Sequence, residues 1–431
     1  MLLMAKEKII KLSYFTTTMS TLLLIASNSQ GADFSFKPSL AISEEISDNI
    51  YQDANNRRTE FTTKVQPAFT SSYKAPLWHW DAAYTFDFKN FARKSGADEY
   101  NHNAELKGNI YSQDNFLHLD VSEKYEQIFT NISRDQTTQS SLNIDQTKQN
   151  AAVVSPYLLW RLKERNSLKS GYRYSDIRYW GVGSDKGQHD AFADFTHEFT
   201  PKLSISTGYQ FRFTQITPDL SIRNASNQIT THRVSGGFQY LYADMSSIFA
   251  TIGGNWQKYS NGSHPTFITW DVGIIHDFNF AVAKLQTSSQ ITEDPLAVST
   301  TVTTYSFNLD KTMPRGVIGF SSVYTEYTDT QLSVNNQRKL AFSGSGRYEV
   351  LPNLTPDLSV IVERFYQILG TGNTGTNFPY HLSATAGLSY ALNYDIKLSL
   401  RYTYDTYRND LENAKGSNDI NRGYVEVKKV F

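Results

Sequence analysis

Cysteine is absent from the 431 residues, which excludes disulfides, thiolate nucleophiles and thiolate metal ligands. Long apolar runs are missing as well. Beyond the first thirty residues nothing approaches the ~20 apolar residues that a membrane-spanning helix requires. Neither sign of charge is in excess: 41 Lys and Arg stand against 42 Asp and Glu, a formal charge of −1. Nucleic acid is therefore excluded as a partner, since it calls for a clear basic surplus. No segment keeps a helical apolar period for three turns, so a helical core is excluded too.

The exception is the beginning. Residues 1–31 carry Lys6, Lys8 and Lys11, then an apolar stretch through Leu22, Leu23, Leu24, Ile25 and Ala26, then small residues at Ser29 and Gly31. The pattern predicts a secretory signal peptide cleaved before Ala32, with the mature chain at 32–431. No linker, charge run or low-complexity tract divides that remainder, so it reads as one domain.

What is abundant is aromatic and alternating. Aromatic residues make up 14% of the chain, with 27 Tyr and 26 Phe, while the hydrophobic share is only 39%. In Trp78, Trp80, Ala82, Tyr84, Phe86 and Phe88 every second residue is apolar and the intervening ones are mostly polar. The same period of two runs through Leu203 to Phe213, Ile268 to Ile274, Tyr380 to Tyr390 and Ile396 to Tyr404. One face of such strands suits lipid and the other water. Connections alternate in length: nine short turns, such as 74–76 and 393–395, alternate with ten longer polar stretches, among them 127–147, 179–190, 288–299 and 406–420. Together these predict an all-β chain forming a single antiparallel transmembrane barrel of about twenty strands (18–20), with the count weakest over 99–126 and 357–367. A soluble sandwich or solenoid is the competing architecture.

The chain closes on Gly423, Val425, Val427 and Phe431, which share one parity, and a strand ending on an aromatic carboxyl terminus is how many outer-membrane barrels present an assembly signal. Its opening, Phe34-Ser35-Phe36-Lys37-Pro38-Ser39-Leu40 followed by Glu44-Glu45-Ile46-Ser47-Asp48-Asn49-Ile50-Tyr51, resembles that of a family of Gram-negative outer-membrane β-barrel porins associated with exopolysaccharide and exosortase (PEP-CTERM) systems. The resemblance implies a cell outer-membrane location, passage of solutes and a part in exopolysaccharide export. Lys429 departs from the usual ending, where the third residue from the end is aromatic or apolar. Expected partners are outer-membrane lipid and lipopolysaccharide, the barrel-assembly machinery and polysaccharide-export components.

If the apolar parity faces lipid, the other parity lines a lumen. That places Arg173, Arg212, Arg233, Arg347, Lys397 and Arg401 inside, with Asp81, Asp87, Asp120, Lys124, Glu126, Asp271 and Glu349. Two readings stand: these charges pair with one another and hydrate the wall, or the cations form a track for an anionic sugar polymer or small acid. Tyr424 and the pair Tyr179-Trp180 are candidate sugar-stacking residues. A non-conducting scaffold or adhesin working through external loops is the alternative from another class.

Enzyme signatures are poor and no cofactor is expected. The nine His residues lack a metal-ligand spacing, and no Gly-x-Ser-x-Gly elbow precedes a helix. An enzyme would show an inward Ser-His or Asp-His pair near the outer rim. Gly370-Thr371-Gly372-Asn373-Thr374-Gly375 matches a dinucleotide pattern, but a strand rather than a helix follows, leaving no helix N-terminus for phosphate. Asp48, Asp53, Asp405, Asp410, Glu412 and Asp419 read as solvated loop carboxylates whose spacing fits no calcium loop.

Overall fold

The computed structural model describes residues 32–51, 56–130, 146–217, 227–293, 295, 299–330, 335–367, 380–392, 395–408 and 418–431. The signal segment, the Gly370–Gly375 pattern, Asp53, Asp410 and Glu412 lie outside the described residues.

Twenty strands make the wall. They are β1 (Asp33–Ser47), β2 (Glu60–Ala75), β3 (Trp78–Phe91), β4 (Glu99–Tyr111), β5 (Leu117–Phe129), β6 (Gln146–Lys163) and β7 (Asn166–Trp180). Then follow β8 (Asp185–Thr200), β9 (Leu203–Thr217), β10 (Gln228–Ala243), β11 (Ser246–Tyr259), β12 (Thr266–Asp277), β13 (Val282–Glu293) and β14 (Ser299–Met313). The last are β15 (Gly316–Asp329), β16 (Asn335–Tyr348), β17 (Leu354–Gln367), β18 (Tyr380–Leu392), β19 (Ile396–Arg408) and β20 (Asn418–Val430). Each pairs antiparallel with its sequence neighbour, and β20 returns to β1 with Ser39 opposite Val430 and Ser47 opposite Arg422. The result is a closed 20-strand antiparallel barrel. The weakly alternating stretches 99–126 and 357–367 are strands like the rest, because edge-free closure pairs every segment regardless of its own pattern.

The barrel is inside out relative to a soluble fold. Parity directs Phe36, Ile42, Ile268, Leu358 and Leu400 outward with half or more of each side chain exposed, while Ala41, Ser43 and Ser47 on the opposite parity are buried. Leaving a large apolar side chain in water costs about 1.5–3 kcal/mol, so this outer face is stable only against an apolar medium. Backbone groups are satisfied between strands, and closure leaves no edge, the condition for residence in hydrocarbon.

Turns and loops segregate to opposite ends. Tight turns need residues that tolerate a left-handed backbone, and Asn115, Asn279 and Asp395 supply it with φ of 56°, 68° and 59°. At one such turn the Ser112 hydroxyl and the Phe116 amide hydrogen-bond Asp114 and hold its carboxyl below the ordinary value. Phe34, Tyr73, Trp78 and Trp80 pack together outside the turn end, with centroids 4.6 Å apart for Tyr73 and Trp78. Toward the loop end, the hydroxyls of Tyr84, Tyr172 and Tyr209 meet Nδ1 of His102, His189 and His232 on the next strand at 2.8, 2.5 and 2.9 Å. Histidines that look scattered in the sequence therefore share an outer girdle with tyrosines.

Several loops are shorter than the polar stretches suggest. β7 and β8 leave only 181–184 between them, so Tyr179 and Trp180 are strand residues, and β13 continues to Glu293. Asp405 belongs to β19 and Asp419 to β20, which corrects their reading as loop carboxylates. Polar residues over-predict loops here because water wets the inner wall as it wets a loop.

Candidate functional site: the inner wall

Strand register gathers cations on β7 to β10. Arg173 stands opposite Asp190, Asp190 opposite Arg212, and Arg233 opposite Gln210. Arg212 is committed: its Nε and Nη2 donate to the two oxygens of Asp190 at 2.7 and 3.0 Å, and Asp190 is 1% exposed. That bidentate pair neutralises itself. Arg233 differs, because its buried Nε has no hydrogen-bond partner among the described residues.

Arg233 and Gln210 separate two cavities. One, of about 380 Å³, is walled by amides and cations including Gln188, Gln210, Arg212, Asn255 and Gln257. The other, of about 250 Å³, is lined by Lys169, Arg173, Phe192, Asp194 and Arg233, three cations against one carboxylate. Ring faces lie against two of these cations, and all three share Asp194 as their carboxylate. Lys169 Nζ lies 4.0 Å from the Tyr157 centroid, and Arg173 Cζ lies 5.6 Å from that of Phe192. One carboxylate does not offset three cations, so net positive charge is left for a passing anion.

Glycine opens this wall. A Cβ on Gly171 would sit 2.6 Å from the Pro156 carbonyl oxygen and against Tyr157, and one on Gly208 would collide with Asp194. The two glycines let Tyr157 and Asp194 lie flat along neighbouring strands.

Most other inward charges pair locally. Asp87 accepts from Gln66 Nε2 at 2.5 Å and faces Lys64 Nζ at 3.5 Å. Asp120 accepts from Asn109 Nδ2 and Asp271 from Gln286 Nε2, both at 2.5 Å, and Lys124 pairs with Glu126 at 2.8 Å. Asp81 stands opposite Lys107, which itself pairs with Glu105 at 2.5 Å, and Arg347 stands opposite Asp357. Lys397 stands opposite Lys428, and Arg401 between Gly387 and Tyr424, so the β19–β20 wall is also basic near the turn end. Glu349 lies past the end of β16 in the turn, which corrects its placement on the wall. The inner wall thus splits between self-paired stretches and stretches where cations outnumber carboxylates.

The stacking candidates divide as well. Tyr179 faces the larger cavity and accepts from Gln149 Nε2 at 2.9 Å. Trp180 has the opposite parity and packs outside against Tyr125. Tyr424 is inward, its hydroxyl donating to Glu426 at 2.6 Å. Tyr157 is covered by the parallel His118 ring 4.8 Å away and by Lys169, so its faces are taken by its own neighbours.

One inner cluster has no counterpart in the sequence reading. On β16 to β20, Lys339 Nζ lies 3.5 Å from Glu363, and His381 faces Glu363 with Nδ1 at 2.9 Å and Asp405 with Nε2 at 3.4 Å. Arg422 pairs with Asp405, and the Tyr407 ring stacks on His381 at 4.4 Å. An inward acid-His contact near the loop end is the arrangement expected of an enzyme. Here both ring nitrogens are engaged by carboxylates and His381 is 1% exposed, so neither nitrogen is left to take a proton from a nucleophile. The cluster staples the wall. Its members are 24 residues apart or fewer along the chain at each step, and inward parity at equal height on successive strands was the signal available for finding it.

The closed barrel, apolar girdled exterior and charged lumen define the class of transmembrane β-barrels. Solved structures agree on the fold. The FrpB iron transporter from Neisseria meningitidis (F3-3 variant) superposes with a TM-score of 0.55 at 9% identity, covering 93% of this chain and 82% of that one. A variant of the ferric enterobactin receptor PfeA from Pseudomonas aeruginosa gives 0.53 at 8%, covering 92% and 80%. The unliganded ferric citrate transporter FecA gives 0.52 at 8%, covering 92% and 79%. No family model matches the chain, and no curated protein matches it either.

Proposed function

We propose that this chain is an outer-membrane barrel through which small anionic or polar solutes pass. The observation that carries the reading is the convergence of Lys169, Arg173 and Arg233 on one cavity with Asp194 as its single carboxylate. An anion moving along the axis would exchange its water for these donors one side at a time, as selective pores require. Outer-membrane location is supported by the fold shared with outer-membrane transporters. The long-loop end then faces outward and the turns face the periplasm. The opening-strand resemblance adds an exopolysaccharide context, in which the anion is an acidic sugar chain and export components are partners. Catalysis has no place in this reading.

Purified protein in planar bilayers under a salt gradient tests it. Stable single-channel steps with a reversal potential on the anion side are expected. A protein that is folded by heat-modifiable gel migration yet electrically silent overturns passage and leaves a scaffold or adhesin.

A further inference from the structure

The outer wall carries a second cationic group that the lumen does not explain. Parity turns Arg338, Arg364 and Arg408 outward on β16, β17 and β19. Register sets them at nearly one height: Arg338 is opposite Tyr366, and Tyr380 is opposite both Arg364 and Arg408. Between Glu326 on β15 and Asp419 on β20, the outward parity of the four intervening strands holds no carboxylate.

Beneath each arginine the outward column is apolar almost without interruption. Under Arg364 it reads Val362, Val360, Leu358, Pro356 and Leu354. Ten residues of strand tilted by ~40° rise about 25 Å, the height of an outward apolar band. The guanidinium groups therefore sit where hydrocarbon ends and headgroups begin, at the loop end of the barrel.

Among the described residues their pairing is incomplete. Arg338 meets Glu326 at 3.3 Å, but Arg364 lies over Tyr366 and Tyr380, 4.3 and 5.2 Å from the ring centroids. Arg408 contacts the Thr406 hydroxyl at 3.4 Å. Elsewhere at this height Arg178 holds both Asp176 and Asp185, and Lys148 donates to the Tyr100 carbonyl. Arg364 and Arg408 are two strands apart, ~10 Å by strand spacing, and a guanidinium suits a phosphate's paired oxygens better than an ammonium does.

We propose that Arg364 and Arg408, flanked by Arg338 and the tyrosines, bind the phosphates of a phosphorylated glycolipid in the outer leaflet. Charge complementarity, height and the loop-end position select this ligand over a periplasmic-leaflet phospholipid. The inference rests on outer-membrane placement but not on solute passage, so an electrically silent barrel leaves it standing.

The test titrates detergent-purified protein with bis-phosphorylated lipid A and, in parallel arms, with its dephosphorylated form and with phosphatidylglycerol, read by native mass spectrometry. Wild type should bind bis-phosphorylated lipid A at least tenfold more tightly than either comparison lipid. R364Q/R408Q should lose about tenfold while R178Q stays unchanged. If the double variant misfolds on gels, Arg364→Gln alone serves and should lose several-fold. Equal binding by folded variants overturns the site, and equal binding of phosphatidylglycerol overturns the glycolipid as its occupant.

Discussion

Arg233→Glu is the most direct test of the lumen. The small cavity goes from three cations against one carboxylate to two against two. At ~5 Å in a water-like dielectric each unit charge contributes about 0.8 kcal/mol to a monovalent anion, so reversal removes about 1.7 kcal/mol before screening. The Debye length of about 10 Å at 0.1 M salt leaves roughly 1 kcal/mol, a fall of about fivefold in anion preference, and about 3 Å at 1 M leaves less than twofold. Reversal potentials in planar bilayers at both salt concentrations measure this. A shift that is absent, or equally large at 1 M, refutes the electrostatic account. Arg212 provides the contrast: Asp190 already neutralises it, so Arg212→Gln should change selectivity much less than Arg233→Gln.

Three further outcomes follow from the wall. Deleting Phe431 removes the amide that donates to the Pro38 carbonyl at 2.8 Å across the closing seam, and should lower the heat-modifiable fraction recovered from outer membranes; unchanged yield would show that the terminus plays no part in assembly. Gly171→Val drives a side chain into Tyr157 and the Pro156 carbonyl and should destabilise the barrel by about 1–3 kcal/mol, seen as a lower gel-shift temperature. His381→Ala leaves Glu363 and Asp405 with Lys339 and Arg422, so the loss should be about 1–3 kcal/mol rather than collapse, with conductance retained; abolished conductance would give the cluster a role in passage.

The inner wall shows where reading a strand alone stops being enough. Arg212 and Arg233 have the same inward parity and are indistinguishable in sequence. Only pairing with β8 makes the first a closed ion pair with Asp190, while the second lines both cavities. His381 looked isolated because its carboxylates are on other strands, and Tyr157 is brought beside Lys169 only by the pairing of β6 with β7.

Sequence by itself determined the wall: a period of two is a local property of each strand, so parity sorted lipid from water, and alternating connections set about twenty strands (18–20), which closure in the structure brings to twenty. Which charges neutralise one another was decided by tertiary structure alone, because register between strands is a non-local quantity. A shift of one residue would have turned every inward cation to the outside.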